Sequence, residues 1–187
     1  MNKEHFERLK NYADKIVKHE FKTTYEKGVC KSISIMASEI LNELGYNCHI
    51  QRVAVIVSNE IGIKALREMD KTGNYNTDYI KDGGWSIGLG YPTKEKKGYE
   101  DAFHYIVYFP EEKEVLDLTF SMANRPEKNI IAEAYWTHED ELPESIHRMM
   151  LLDLKDNSIP LIEQNQEMKK RIIERGIKYV GGETDDF

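Results

Sequence analysis

The sequence predicts an α+β domain, with a central apolar helix packed on an antiparallel sheet. Three observations carry this expectation. In residues 30–44, Ile33, Ile35, Met36, Ala37, Ile40, Leu41 and Leu44 cover more than half of a helix circumference, and Gly45 is a fitting stop. Two β-rich runs, 103–109 and 114–120, flank the polar turn Pro110-Glu111-Glu112-Lys113 and read as a hairpin. A length of 187 residues suits one compact domain that buries a core without staples.

Taken in order, the chain opens with Phe6, Leu9, Ala13, Ile16 and Val17 at helical spacing among charged residues, so residues 2–20 form an amphipathic packing helix. Its histidines, His5 and His19, fall on the polar side or near the ends. Residues 21–27 are polar and Gly28 breaks the pattern, which makes this the loop that delivers Cys30. After the central helix, residues 48–57 read as a strand, β-branched and apolar toward its end, with Cys48 half-buried in it. Residues 61–69 suit a short helix closed by the turn-forming Lys71-Thr72-Gly73-Asn74. The stretch 74–100 is the least regular, with Gly83, Gly84, Gly88, Gly90 and Gly98 around Trp85 and Tyr91-Pro92 and no phosphate-loop pattern. It reads equally as a functional loop or as a surface insertion. Beyond the hairpin come a loop at 121–128, an apolar run at 129–136 that suits a strand, and an acidic turn at 137–140. Residues 143–154 and 160–175 read as helices, each opening near a proline, with Gly176 ending the second. The acidic end, 181–187, is expected to fray. One domain spans 1–187, its core at 28–120 and its C-terminal strand and helices at 121–187.

Charge and cysteine usage exclude several classes of function. The formal net charge of -7 disfavours general nucleic-acid binding, which needs a surplus of Lys and Arg on one face. The small basic cluster Lys94, Lys96 and Lys97 reads as a solvated loop. Apolar runs are short, Val53 to Val57 among the longest, so no membrane span is expected. Two cysteines make no disulfide framework, and no apolar leader follows Met1. The expectation is an intracellular, reduced, cytoplasmic protein. Cys30 and Cys48 match no metal motif, and His138 and His147, nine residues apart with Pro143 between them, form no helical ligand pair. Neither a metal nor a cofactor is expected, and nothing in the sequence bears on oligomeric state.

The remaining chemistry centres on Cys30. A thiol in the first turn of a helix feels the partial positive charge of the helix terminus, which favours thiolate, and Gly28 lets the backbone approach a substrate closely. A nucleophilic thiolate also needs an imidazole partner and a group that orients it. If Pro110 opposes Lys113 in the hairpin, His104 faces Thr119 and Asp117 faces Ile106. His104 and Asp117 then share one face as diagonal neighbours, within reach of a hydrogen bond. A loop of odd length would put Asp117 on the other face.

The order and setting of these residues resemble the transglutaminase-like family of the papain-like superfamily. Gly28-Val29-Cys30 opens an apolar helix that ends in Leu44-Gly45, and His104 on a strand is followed after a turn by Asp117-Leu118-Thr119. The resemblance covers roughly residues 28–119. It departs in having Ile33 three residues after the cysteine where an aromatic is common, Ile106 two after the histidine where tryptophan is frequent, and no Gln or Asn just before Cys30. It implies a cysteine-dependent acyl transfer on a protein or peptide amide (amidase, peptidase, deamidase or transglutaminase-type) through a Cys30–His104–Asp117 triad. Trp85, Gly84 and Tyr105 are expected to contact substrate, with Trp85 and its glycines forming a wall or lid over the acyl group. Two alternatives accompany this reading. One is a catalytically silent relative acting as a protein-binding or inhibitory module. The other is an acyl transferase like the arylamine N-acetyltransferases.

Overall fold

The computed structural model describes residues 1–23, 29–90, 104–153 and 159–184. Gly28, Tyr91-Pro92, Gly98, the cluster Lys94, Lys96 and Lys97, and the first residue expected in the hairpin, Phe103, lie outside the described residues. The fold is α+β: helices pack on a sheet whose pairings are all antiparallel.

Helix α1 (Lys3–Lys15) starts at Asn2, whose side chain accepts the His5 N–H at 2.7 Å, and continues into a π-helical turn at Ile16–Glu20. Helix α2 (Cys30–Glu43) begins on the cysteine, and the chain turns out of it at Gly45 with φ 89°, a left-handed conformation that glycine adopts without Cβ strain. Strand β1 (His49–Ser58) leads through Asn59, the N-cap of α3 (Glu60–Thr72), to Gly73, where φ is again positive at 69°. Then follow β2 (Ser86–Leu89), β3 (His104–Phe109), β4 (Glu114–Asp117), β5 (Tyr135–His138), β6 (Ile146–Leu151) and α4 (Gln166–Val180).

Three segments differ from the sequence expectation. Residues 143–154 hold β6 rather than a helix: Ile146–Leu151 pairs with Val57–Val53 of β1, and the open edge of β1 decides the conformation of a Met- and Leu-rich stretch that local propensity alone would make helical. Within the glycine-rich region, Ser86–Leu89 forms a strand against Val55–Ser58. Gly176 does not end a helix. It lies inside α4, where a Cβ would collide with the Ile40 and Tyr12 side chains, so its lack of a side chain lets α4 close on α1 and α2.

Strand β1 organises the sheet. One edge carries β6; the other carries β3 against His49–Val53 and β2 against Val55–Ser58, so β2 and β3 lie end to end. From β3 the sheet continues to β4 and β5. At the junction, a Cβ on Gly90 (φ 76°) would overlap the Val53 carbonyl oxygen and lie 3.0 Å from the His104 nitrogen. The ladder thus closes directly onto the first residue of β3 only because residue 90 is glycine.

Two apolar clusters cover the two faces. Leu9, Ile33, Met36, Ile40, Leu41 and Ile172 of the helices pack against Val107, Phe109 and Leu116. On the opposite face, Val53, Val55, Ile106 and Val115 are covered by Phe120, Ala123, Ile130 and Ala132 from the segment after β4. Cys30 heads the helix on the first face, whereas alternation puts His104 and Asp117 with Ile106 and Val115 on the second.

Candidate functional site

The hairpin fixes the partners of His104. Val107 pairs with Leu116 and Phe109 with Glu114, the register expected from a four-residue turn, and Lys113 takes the positive φ of 52° that closes it. His104 Nε2 and Asp117 Oδ2 are 2.6 Å apart, and both side chains are about 1 % exposed. The second carboxylate oxygen, Oδ1, accepts from the Thr119 backbone N–H at 2.9 Å and from the Thr119 hydroxyl at 3.1 Å. Three hydrogen bonds therefore hold the Asp117 carboxylate in one orientation. The Asp-x-Thr spacing carried this information, since a carboxylate readily accepts from the backbone two residues on.

Cys30, the first residue of helix α2, comes within interaction range of the His104 ring. Ser34, one turn after Cys30 and on the same side of the helix, donates its hydroxyl to the Tyr105 carbonyl at 3.0 Å, which anchors the helix beside the start of β3. The Cys30 thiol is 3 % exposed. Burial by itself pushes the His104 imidazolium down in pKa. The charge and hydrogen bond of Asp117, joined by the hydrogen bond and charge of Cys30, outweigh it and raise His104 from 6.5 to about 10. His104 Nδ1 makes no hydrogen bond of its own, so the sulfur's contact with the ring is looser than the carboxylate's.

Tyr135 sits across from Asp117 on β5, with its ring edge-on to Phe120 at 5.1 Å. Its hydroxyl is buried without a hydrogen-bond partner, and burial, then the charge of Asp117, raise its pKa well above the usual phenol value. A neutral phenol and an aromatic ring thus shield the carboxylate from water. The other cysteine is a contrast. Cys48 Sγ lies 3.8 Å from the Ser38 carbonyl and 3.7 Å from Asn42 Oδ1, and burial pushes its thiol up to about 11.

The substrate contacts expected from the sequence divide. Tyr105 follows His104 on β3 but alternates to the other face, where it lines a cleft of about 400 Å³ with Lys31, Ile50, Arg52, Leu152 and Asp153. Trp85 and Gly84 lie elsewhere. The Trp85 carbonyl accepts from the Asn59 N–H, whereas His104 pairs with Val53. Six residues of β1 separate these points, roughly 20 Å at the rise of a strand. Trp85 is tied down there by Asn59 and stacks under Lys128 Nζ at 4.8 Å, and a Cβ on Gly84 would lie 2.7 Å from the Tyr79 carbonyl oxygen. Neither residue walls the space above Cys30, because β2 runs away from His104 rather than over it. Sequence reasoning missed Gly90, Lys31 and Arg52, whose places depend on the junction of β2 with β3 and on the pairing of Arg52 with Tyr105.

Among the described residues, no group of three or more His, Cys, Asp or Glu side chains could hold a metal ion, and no helix is long and apolar enough to cross a membrane. No known family, curated protein or solved structure matches the chain.

Proposed function

We propose that the protein is a cysteine-dependent acyl-transfer enzyme of transglutaminase-like type, with Cys30 as nucleophile, His104 as acid and base, and Asp117 as the orienting carboxylate. The observation that carries this reading is the buried 2.6 Å His104–Asp117 pair whose ring is also acted on by the Cys30 thiol. The raised pKa of His104 suits an imidazolium that stabilises an adjacent thiolate.

In the proposed reaction the Cys30 sulfur attacks an amide carbonyl carbon, and the carbonyl π electrons move to oxygen. The Cys30 backbone N–H, at the first position of α2, is the candidate donor to that oxyanion. Collapse of the intermediate breaks the C–N bond, His104 gives its proton to the departing nitrogen, and a thioester remains. Water or an amine then attacks the thioester as His104 takes up its proton, and the thiolate returns. Asp117 holds the ring in one orientation and stabilises its cationic form.

Acyl-enzyme capture tests this. With p-nitrophenyl acetate the native protein is expected to release nitrophenolate in an initial burst and to carry an acetyl thioester on Cys30, located by peptide mass mapping. The adduct is expected to be absent from Cys30→Ala and much slower to form in His104→Ala. A native protein that forms no thioester in excess reagent is not this enzyme. The burial of Cys30 favours a second reading, a catalytically silent protein-binding or inhibitory module. In that case the Cys30→Ala variant retains the biological effect of the wild type.

A further inference from the structure

We propose that Tyr135 is a positioning residue of the site: its hydroxyl steadies the Asp117 carboxylate when His104 gives up its proton. This rests on the acyl-transfer reading for what the proton transfer serves, but the interaction it describes needs no reaction.

The strand register is the first ground. Asp117 of β4 and Tyr135 of β5 are direct partners in the antiparallel ladder, so both side chains leave the sheet on the same face, with their β-carbons roughly 5 Å apart. The Tyr135 ring stands edge-on to Phe120 at 5.1 Å, and Phe120 is itself fully buried, so the phenol has a fixed place on this face.

Hydrogen-bond accounting is the second ground. A carboxylate offers about four acceptor positions. At Asp117, Oδ2 is engaged by His104 Nε2, and Oδ1 accepts from both the N–H and the hydroxyl of Thr119. An acceptor position on Oδ2 is left over. On the neighbouring strand, the Tyr135 hydroxyl oxygen is buried and has no hydrogen-bond partner. A buried hydroxyl without a partner is a standing cost to the fold, and a changing charge beside it gives it a use.

The charges around the pair decide when that use arises. Among the described residues, the titratable groups that act on His104 are Asp117 from β4 and Cys30 from α2, and the charge that acts on Tyr135 is again Asp117. Burial, then the Asp117 charge, push the Tyr135 ionisation well above the usual phenol value, so the group keeps its proton and acts as a dipole. While His104 is an imidazolium, its charge balances the carboxylate. Once the proton passes to a departing nitrogen, Asp117 is a buried anion beside a neutral ring, and a buried charge short of partners is heavily penalised. A small shift of the phenol O–H toward Oδ2 supplies a donor, with no proton transferred and no covalent bond made or broken. The hydroxyl thereby favours neutral His104, the form that takes up a proton from water or an amine in the second half of the reaction.

The test reads the ionisation of His104 by NMR of its ring C–H groups in the full-length protein. It is made in a Cys30→Ala background, so that the thiol does not titrate with the ring. Tyr135→Phe keeps the ring against Phe120 and removes the hydroxyl alone. It is expected to raise the His104 pKa by about half a unit, the size of one modest hydrogen bond to the carboxylate. The midpoint of chemical denaturation at pH 6 should stay the same or rise, because the deleted hydroxyl had no partner there. A His104 pKa that is unchanged or lowered overturns the proposal. So does a lowered denaturation midpoint at pH 6, which would make the hydroxyl an ordinary structural bond. With Cys30 present, the pH at which thioester turnover reaches half its plateau should move up by the same amount. A protein that forms no thioester yet shows the His104 shift overturns the acyl-transfer reading and not the Tyr135–Asp117 contact, whereas a protein that forms the thioester without the shift does the reverse.

Discussion

His104 is held against the Asp117 carboxylate with almost no access to water, and this makes its protonation part of the stability of the fold. Its pKa in the folded chain is raised from 6.5 to about 10. A group whose folded-state pKa is raised contributes stability that is fully present below the unfolded value and is lost as pH climbs through the folded one. The contribution of His104 is therefore complete at pH 6 and declines progressively between about 6.5 and 10. Chemical unfolding at pH 6, 8 and 10 is expected to show wild type losing more stability across this range than His104→Gln. Cys48, raised from 9.0 to about 11, loses its own contribution above pH 9 in both proteins and cancels in the comparison. A variant whose stability falls as steeply as wild type between pH 6 and 8 contradicts the pairing. Removing the partner is also costly: Asp117→Ala leaves the buried His104 ring and the Thr119 N–H and hydroxyl without their acceptor and is expected to destabilise by about 1–3 kcal/mol in the same measurement at pH 7.

At the scale of elements, two glycines do what no other residue can, and both are testable by single methyl additions. Gly176→Ala places a carbon against Ile40 and Tyr12 at the meeting of α1, α2 and α4, and overpacking of that kind costs about 1–3 kcal/mol, read as a lowered midpoint of denaturation. Gly90→Ala adds a residue-specific strain at positive φ and pushes on the Val53 carbonyl and the His104 nitrogen. It is expected to lower the denaturation midpoint and to slow acetylation of Cys30 together, whereas Gly176→Ala, distant from His104, changes stability alone. A Gly90→Ala protein as stable and as reactive as wild type removes the junction of β2 and β3 from any part in placing His104.

The same elements show what was legible in the sequence. The α2 boundaries were readable because apolar periodicity ends at a glycine that takes positive φ. The hairpin register was readable because four turn residues between β-rich runs leave one even pairing, and that pairing puts Asp117 beside His104. Strand β6 was illegible: Ile146–Leu151 has no strong period, and its conformation comes from the free edge of β1, far earlier in the chain. Gly176 was misread because a helix-terminating glycine and a close-packing glycine look alike until the neighbouring helix is in place. Trp85 was assigned to the site on its glycine surroundings, yet those glycines serve the packing of Tyr79 and the turn fixed by Asn59.

At the scale of the whole molecule, the candidate site lies where the two layers of the protein meet. In the proposed site the helical layer contributes Cys30 and the sheet contributes His104, the first residue of β3, with its partner Asp117. Neither layer holds the constellation alone, which explains why the cysteine is 74 residues from the histidine in sequence. Cys48 provides an internal reference for the chemistry. With its thiol near pKa 11, roughly one molecule in ten thousand carries a Cys48 thiolate at pH 7. The most direct measurement of the central claim is therefore the rate of iodoacetamide labelling at each cysteine of the native protein at pH 7, followed by peptide mass mapping. The account expects Cys30 to be alkylated at least about a hundredfold faster than Cys48, and to slow by about tenfold or more in His104→Ala. Equally slow labelling of the two cysteines in the native protein, or a Cys30 rate indifferent to His104, would contradict it.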